Sequence, residues 1–378
     1  MILEIFSIQT RERVGMINVY EFAQYTQEFC GSGSFSVKVS LSDKSVRFLN
    51  NKHFILFDDG VLGIIRYRSK ETEESSTVEV GGFLVNKILD WRSFLVTKSF
   101  NGTVSEISRS IVDFFFINNP DERRNISFIS LDPDEKYSPS SSSSSLQNTG
   151  NSVAYVLSSF LGSFEYGYTL YPVVNKYSEG SETNISTLSF RVLKPSDRTI
   201  DNRENNSPVV FSRQMNNLSN MIYIEDDTEY CSTAIVAGEG EGSSRTTVEV
   251  GNTASSGIDR IELYVDARDL QSKTEDRTLT QEEYIEVLSN RGYSYLEDHM
   301  SFSSIDGTII DGASSYKYGV DFFLGDYVSI IDEEFGLVIN TQIQSVTKSQ
   351  TEFGEKLDFT FGKERVSIQK AIRKRGLV

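Results

Sequence analysis

Histidine is nearly absent from this chain: His53 and His299 are the only two in 378 residues. Cysteine is as scarce, with Cys30 and Cys231 far apart, and there is one tryptophan. A Ser-His-Asp or Cys-His hydrolase must recruit one of the two imidazoles, and neither lies near a cysteine or a G-x-S-x-G turn. A zinc site draws three or four ligands, mostly His and Cys, and the supply is too small. A secreted scaffold of this length held by disulfides carries more cysteine, so two buried free thiols are expected. No run of about 18 apolar residues occurs, which excludes a membrane-spanning helix. The start, Met1-Ile-Leu-Glu-Ile-Phe, lacks the basic region of a signal peptide. The chain is therefore expected to be made in a cytoplasm and to stay soluble, and sites such as Asn125-Ile-Ser carry no glycosylation argument.

What is present is a foldable, acidic composition. Apolar residues make up 38% and aromatics 12%, enough for packed cores. The length suits about two to four domains. The net charge is −17, which repels phosphates and excludes nucleic-acid binding by general attraction; solubility is the ordinary use of such a balance.

Residues 1–98 look all-β. Phe35-Ser-Val-Lys-Val-Ser-Leu alternates as a half-buried strand does, and Asp58-Asp59-Gly60 predicts a hairpin turn between His53-Phe-Ile-Leu-Phe and Val61-Leu-Gly-Ile-Ile. Val78-Glu-Val-Gly-Gly-Phe-Leu-Val adds a strand. Residues 99–204 are mixed. Thr103-x-x-Glu106 is a capping box opening an amphipathic helix through Ile107, Ile111, Phe114 and Phe115, which ends near Asn118-Asn119-Pro120. The serine run 140–145 predicts a mobile surface loop. A second helix starts at Asn151-Ser152, and strands follow at 166–174 and 188–192.

Residues 205–250 return to β, through Val209-Val-Phe, Met221-Ile-Tyr-Ile, Ala234-Ile-Val-Ala and Thr246-Thr-Val-Glu-Val. A helical excursion, 251–301, contains a second capping box, Thr280-x-x-Glu283, with Tyr284, Ile285, Leu288, Tyr295 and Leu296 as apolar positions. Gly292 inside it is a point of bending or interruption. Residues 302–364 are β again, and the block Tyr316 to Gly362 reads as three short strands joined by tight turns. A basic tail, 365–378, carries Lys370, Arg373, Lys374 and Arg375. The fold class is β-rich α+β.

Chemistry is hard to find. Gly238-Glu-Gly-Glu-Gly242 has the glycines of a phosphate loop, but no P-loop lysine follows and its glutamates repel phosphate; it reads as a turn. Carboxylates cluster at Asp58-Asp59, Asp132 to Glu135, Glu225-Asp226-Asp227 and Asp332-Glu333-Glu334. None has calcium-loop spacing, and adjacent strand residues point to opposite faces, so solvated turns are expected. The aromatics Phe114 to Phe116, Tyr293 and Tyr295 read as core. No catalytic, cofactor-binding or metal residue is assigned, and no cofactor.

Several segments, taken in order, resemble a phage tail hub family, the baseplate hub or tail-associated proteins of long-tailed phages. They are Lys194-Pro-Ser-Asp-Arg-Thr199, Ser207-Pro-Val-Val-Phe-Ser212, Asn217-Leu218, Ala234 to Gly242 with Arg245, Gly257 to Leu270, Leu288 to Gly292, Tyr318 to Val328 and Phe361-Gly362. The resemblance runs from about residue 85 to 364; residues 1–84 share only β character. It implies two tail-tube-like antiparallel β-barrels plus a mixed α/β insertion domain. The first barrel would be 1–98. The second, interrupted in sequence, would be 205–250 with 302–364, and the excursion would pack on 99–204. It further implies a homotrimeric ring joining a sixfold tail tube or distal tail protein above to a threefold spike, fibre or tip protein below. DNA would pass through the lumen of a virion tail assembled in a bacterial host. Acidic side chains would then line that lumen. Long lysin or adhesin extensions found in related hubs are missing after Gly362, so receptor binding or wall degradation is expected on another protein. The alternatives are a carbohydrate-binding tail-tip protein, which needs a trough of exposed aromatics, and a wall hydrolase with a carboxylate pair, which lacks a motif.

Overall fold

A computed structural model of the chain describes residues 2–51, 53–71, 76–133, 144–176, 183–273, 278–299, 302–309, 316–334, 336–352 and 354–362. The basic tail, Asp134, Glu135 and Ser140 to Ser143 lie outside the described residues. The chain divides into two compact units: Met1–Lys194 with Cys231–His299 and Ser349–Glu355, and Pro195–Tyr230 with Met300–Lys348 and Lys356–Val378. Each is a β-rich body, and antiparallel pairing dominates.

The first unit opens with β1 (Leu3–Ser7), β2 (Arg13–Ile17), β3 (Phe22–Glu28), β4 (Ser34–Ser40), β5 (His53–Leu56), β6 (Leu62–Glu71) and β7 (Thr77–Leu84). They form one ladder in the order β3-β4-β7-β6-β5-β1-β2. The β5–β6 hairpin turns at Asp58-Asp59-Gly60, as expected, with Gly60 at φ 90°, a conformation open to glycine at no steric cost. Strand alternation sends Ile5, Val37, Val39, Ile55, Ile65, Val78 and Val80 into a core on one face. On the other face, Phe6, Phe54, Leu62 and Ile64 join a second core.

That second core is closed by two helices. β8 (Lys98–Gly102) leads into α1 (Val104–Val112), which continues as a π-helical turn over Asp113–Ile117 and buries Ile107, Ile111, Phe115 and Phe116. The capping box is real: Thr103 Oγ1 accepts from the Glu106 amide, and Glu106 Oε2 accepts from the Thr103 amide at 2.8 Å. Then come β9 (Ile129–Leu131), β10 (Ser144–Asn148), α2 (Val153–Gly162, capped by Ser152), β11 (Gly167–Asn175) and β12 (Asn184–Leu193). β11 and β12 pair antiparallel, and β9 runs parallel to β12.

The serine run corrects one expectation. Ser144 and Ser145 do not belong to a mobile loop; they are buried in β10, paired with Gly102 and Asn101 of β8. The ladder satisfies their backbone, and Ser145 Oγ donates to Asn101 Oδ1 at 2.7 Å, so no polar group is stranded.

In the second unit, β13 (Val210–Ser212) and β14 (Leu218–Asp226) precede the excursion. The excursion itself, within the first unit, holds β15 (Thr233–Ala237), β16 (Thr247–Gly251), β17 (Glu262–Asp266) and α3 (Gln281–Glu297). Residues 234–250, read from sequence as part of the second barrel, pair instead with β17 in a three-stranded sheet, β16-β15-β17. Val236, Val250 and Val265 need cover, and α3 supplies it through Tyr284, Val287, Leu288 and Leu296. α3 is continuous through Gly292. A Cβ there would meet Val250 Cγ2 at 2.5 Å and Val236 Cγ2 at 2.6 Å, so the glycine serves close approach rather than bending.

The second unit is completed by β18 (Phe302–Ile309), β19 (Tyr327–Asp332) and most of β20 (Leu337–Thr351) and β21 (Gly354–Gly362), whose adjoining ends are counted with the first unit. Its ladder runs β14-β18-β21-β20-β19-β13. Phe211, Phe322, Ile330, Ile343, Phe359 and Phe361 form its core. Of the last block, β19, β20 and β21 are the three expected strands, but β20 is long at 15 residues. The pairings among the described residues do not close either ladder into a barrel.

Candidate interaction surface

The chemistry-bearing residues named from sequence are dispersed. His53 Nδ1 lies 2.9 Å from Asn50 Oδ1, and His299 Nδ1 lies 2.9 Å from the Tyr295 carbonyl. Both cysteines are free and half-buried; Cys30 Sγ donates to the Tyr166 carbonyl. Burial pushes both thiols up from the ordinary range, which suppresses the thiolate a nucleophile needs. Asp59 accepts from the Tyr25 hydroxyl, buried Asp132 pairs with Arg191, and Asp332 caps the Glu334 amide at 2.9 Å. Among the described residues no group of His, Cys, Asp or Glu gathers as metal ligands do. No described helix is long and apolar enough to cross a membrane.

Concavities are small. A cleft of about 30 Å³ between β10, α2 and α3, lined by Asn148, Tyr155, Asn290 and Arg291, has room for about one water. A groove of about 280 Å³ in the second unit, beside Arg213, Met221 and Asp332 to Glu334, is below the usual size of a ligand pocket. Arg213 already pairs there with Glu334 at 3.1 Å.

The segments that carried the resemblance assemble into two knots. In the second unit, buried Asp326 accepts from the Ser196 amide at 2.9 Å, the Phe323 amide at 3.0 Å and Arg198 Nε at 3.0 Å. Main-chain bonds continue the join: Tyr327 donates to Ser196, Arg198 donates to Tyr327, and Val209 donates to Arg198. The Leu324-Gly325-Asp326 turn thus anchors the 195–200 segment along β19. In the first unit, Arg245 reaches back over the Gly238–Gly242 hairpin loop. Its guanidinium donates to the Gly238 and Ala237 carbonyls, to Tyr264 Oη and to Asp266. The glycine loop is the turn between β15 and β16, with φ 102° at Gly240.

The second knot lies on an open face. α3 covers one side of the β16-β15-β17 sheet; the other side presents Thr247, Glu249, Glu262, Tyr264 and Asp266 to solvent. Ion pairs cross it: Arg260 with Glu262 at 2.6 Å and Glu249 at 3.1 Å, and Asp266 with Arg245 at 2.8 Å and Arg268 at 2.6 Å. The Arg268 hydrogen bonds, helped by Arg245, lower the Asp266 pKa to about 2. Tyr264 is 60% exposed amid these charges, and Ile258, beside them in sequence, is 93% exposed. A rigid tyrosine framed by prearranged ion pairs has the composition of a protein contact surface. From sequence, Tyr264 lies in the helical excursion 251–301 and carries only the resemblance; the structure puts it in β17, where the Glu-Leu-Tyr-Val-Asp alternation, the available signal, turns it away from buried Val265.

The fold has solved counterparts. It is similar to the tail protein from Neisseria meningitidis MC58 (TM-score 0.55, 13% identity, 96% of each chain covered). It is similar also to the 43 kDa tail protein of prophage MuSo2 from Shewanella oneidensis (0.56, 12%, 96% of this chain and 98% of that one). A third is prophage tail protein gp18 from Listeria monocytogenes EGD-e (0.54, 13%, 100% and 99%). No curated protein matches the sequence. Residues 2–363 match the Siphovirus ReqiPepy6 Gp37-like proteins, a siphovirus tail protein family, and the chain belongs to that family.

Proposed function

We propose that this protein is a structural hub of the tail tip, a homotrimer that joins the sixfold tail tube to a threefold spike or fibre and lets DNA through its lumen. The observation that carries this reading is that one chain supplies two stretches of β-ladder, one in each compact unit and each with its own core. Three copies bring six such ladders, the number a sixfold tube requires, and ring closure covers edges that an open ladder leaves bare. The two ladders stand for the two barrels of the hub, and the β15–β17 sheet with α3 belongs to its inserted part. The acidic balance suits a wall that passing DNA does not adhere to. The protein acts in the virion tail and without catalysis.

Sedimentation of the purified chain, with electron microscopy of the same sample, tests the proposal. A threefold ring with a central channel is expected. A chain that stays monomeric up to about 100 µM, or a ring of another order, overturns it.

A further inference from the structure

Strand β6 is ten residues long, but its two neighbours differ in reach. β7 pairs with it from Gly63 to Glu71, whereas β5 pairs only with Leu62 to Ile64. Beyond Ile65, the β5 side of the strand makes no further backbone hydrogen bond among the described residues. Arg66, Tyr67, Arg68 and Lys70 are all exposed, so both faces of this stretch face solvent. Opposite them on β7, Val80 and Val78 are fully buried, so β6 projects past the core its partner helps to form.

The side chains around this edge are unusual for an acidic chain. Arg66, Arg68 and Lys70 have no carboxylate partner among the described residues, in a chain of net charge −17. Arg66, at the register shift between Ile65 and Tyr67, lies over the Trp91 ring at 4.9 Å, and Lys87 lies over Phe83 at 5.2 Å. Tyr67 lies opposite Gly81, on the same face as Phe83. Tyr67, Phe83 and Trp91 are 55%, 42% and 41% exposed. Together they offer about 300 Å² of aromatic surface, taking roughly 200 Å² for a whole side chain. Aromatic rings with preplaced cations are the chemistry of binding hot spots.

We infer that the β6 edge receives an extended acidic segment of a partner protein as an added strand. The N–H and C=O groups from Arg66 to Lys70 that bond no described residue on the β5 side would supply the ladder, Arg68 and Lys70 the contacts to its carboxylates, and Tyr67, Phe83 and Trp91 the apolar anchorage. Cationic side chains on an edge repel basic strands and leave neutral ones poorly matched, so they also select the acidic ligand. A sugar is a weaker fit, because Phe83 and Trp91 already have a ring face engaged by Lys87 and Arg66.

The test is fluorescence anisotropy of the full chain with a labelled octapeptide of alternating Glu and Val. Binding is expected, weakened at least about tenfold by Arg68→Glu with Lys70→Glu, and absent for a Lys-Val peptide. The milder pair Arg68→Gln with Lys70→Gln serves if charge reversal disturbs folding, with weakening again expected. No binding up to about 1 mM overturns the proposal. Undiminished binding of a peptide with Pro at alternate positions does so too, since proline cannot pair in a ladder. Self-association without peptide that the same substitutions abolish would assign the edge to a second copy. Tighter binding of polygalacturonate would assign it to an anionic glycan. Either result also overturns the proposal.

Discussion

Asp326 and Arg198 meet at 3.0 Å across a sequence separation of 128 residues, and both side chains are largely withdrawn from water. The carboxylate also holds the amides of Ser196 and Phe323, so it serves three donors from two separate segments. Asp326→Ala leaves the guanidinium and two amides without their acceptor. A loss of about 3–5 kcal/mol from the second unit is expected, the usual cost of breaking a buried ion pair from one side. Urea unfolding monitored on this unit checks it. An Asp326→Ala, Arg198→Ala double variant should be less destabilised than the sum of the two single ones.

Gly292→Ala inverts the usual helix rule. At an exposed helical site alanine stabilises by about 1 kcal/mol relative to glycine. Here the added methyl meets Val236 and Val250 at 2.6 and 2.5 Å, and both valines are held in the sheet beneath. Overpacking of this kind costs about 1–3 kcal/mol, so the variant should melt earlier than the parent. Thermal denaturation gives the sign directly, and a rise in Tm would show that the sheet yields.

Gln147 connects β10 to the excursion through a reciprocal amide contact. Its Nε2 donates to the Gln271 carbonyl at 3.3 Å, and its Oε1 accepts from the Gln271 amide at 3.1 Å. Gln147 is buried, so alanine there strands both backbone groups at a cost of about 1–3 kcal/mol. The sharper readout is hydrogen exchange. The Gln271 amide should lose protection in Gln147→Ala while the amides of β12 keep theirs.

Local signals in the sequence were reliable where the physics is local. Thr103 and Thr280 cap their helices as the Thr-x-x-Glu spacing requires, and Asp58-Asp59-Gly60 turns a hairpin. Non-local pairing was harder to read. Nothing near residues 233–251 says that Glu262–Asp266, rather than β14, will be their neighbour, because β propensity is the same in either partnership. Ser144 and Ser145 read as loop because serine carries little strand preference; the unpaired edge of β8 decided their conformation. The roles of Arg198 and Asp326 were legible only as marks of resemblance, since their contact needs the folded ladder. The free edge of β6 was invisible because β5's short length matters only once its register is known.

The acid side of the stability profile should reflect Asp266. Hydrogen bonds from Arg268, then those from Arg245, hold its carboxyl at about 2, against 3.8 for an ordinary aspartate. A depressed folded value means that the unfolded chain takes up the proton first. The contribution is therefore fully present above about pH 4 and is lost as pH falls through the window from 3.8 to about 2. Asp266→Asn removes this carboxylate and should flatten that part of the curve, leaving the neutral-pH shape unchanged. Carboxyl-carbon NMR titration of Asp266 checks the premise independently: a midpoint near 3.8 would mean that Arg268 and Arg245 do not hold the carboxylate in solution. Salt sharpens the distinction. The pairs are exposed, so raising ionic strength should screen the two arginines and move the midpoint upward toward 3.8.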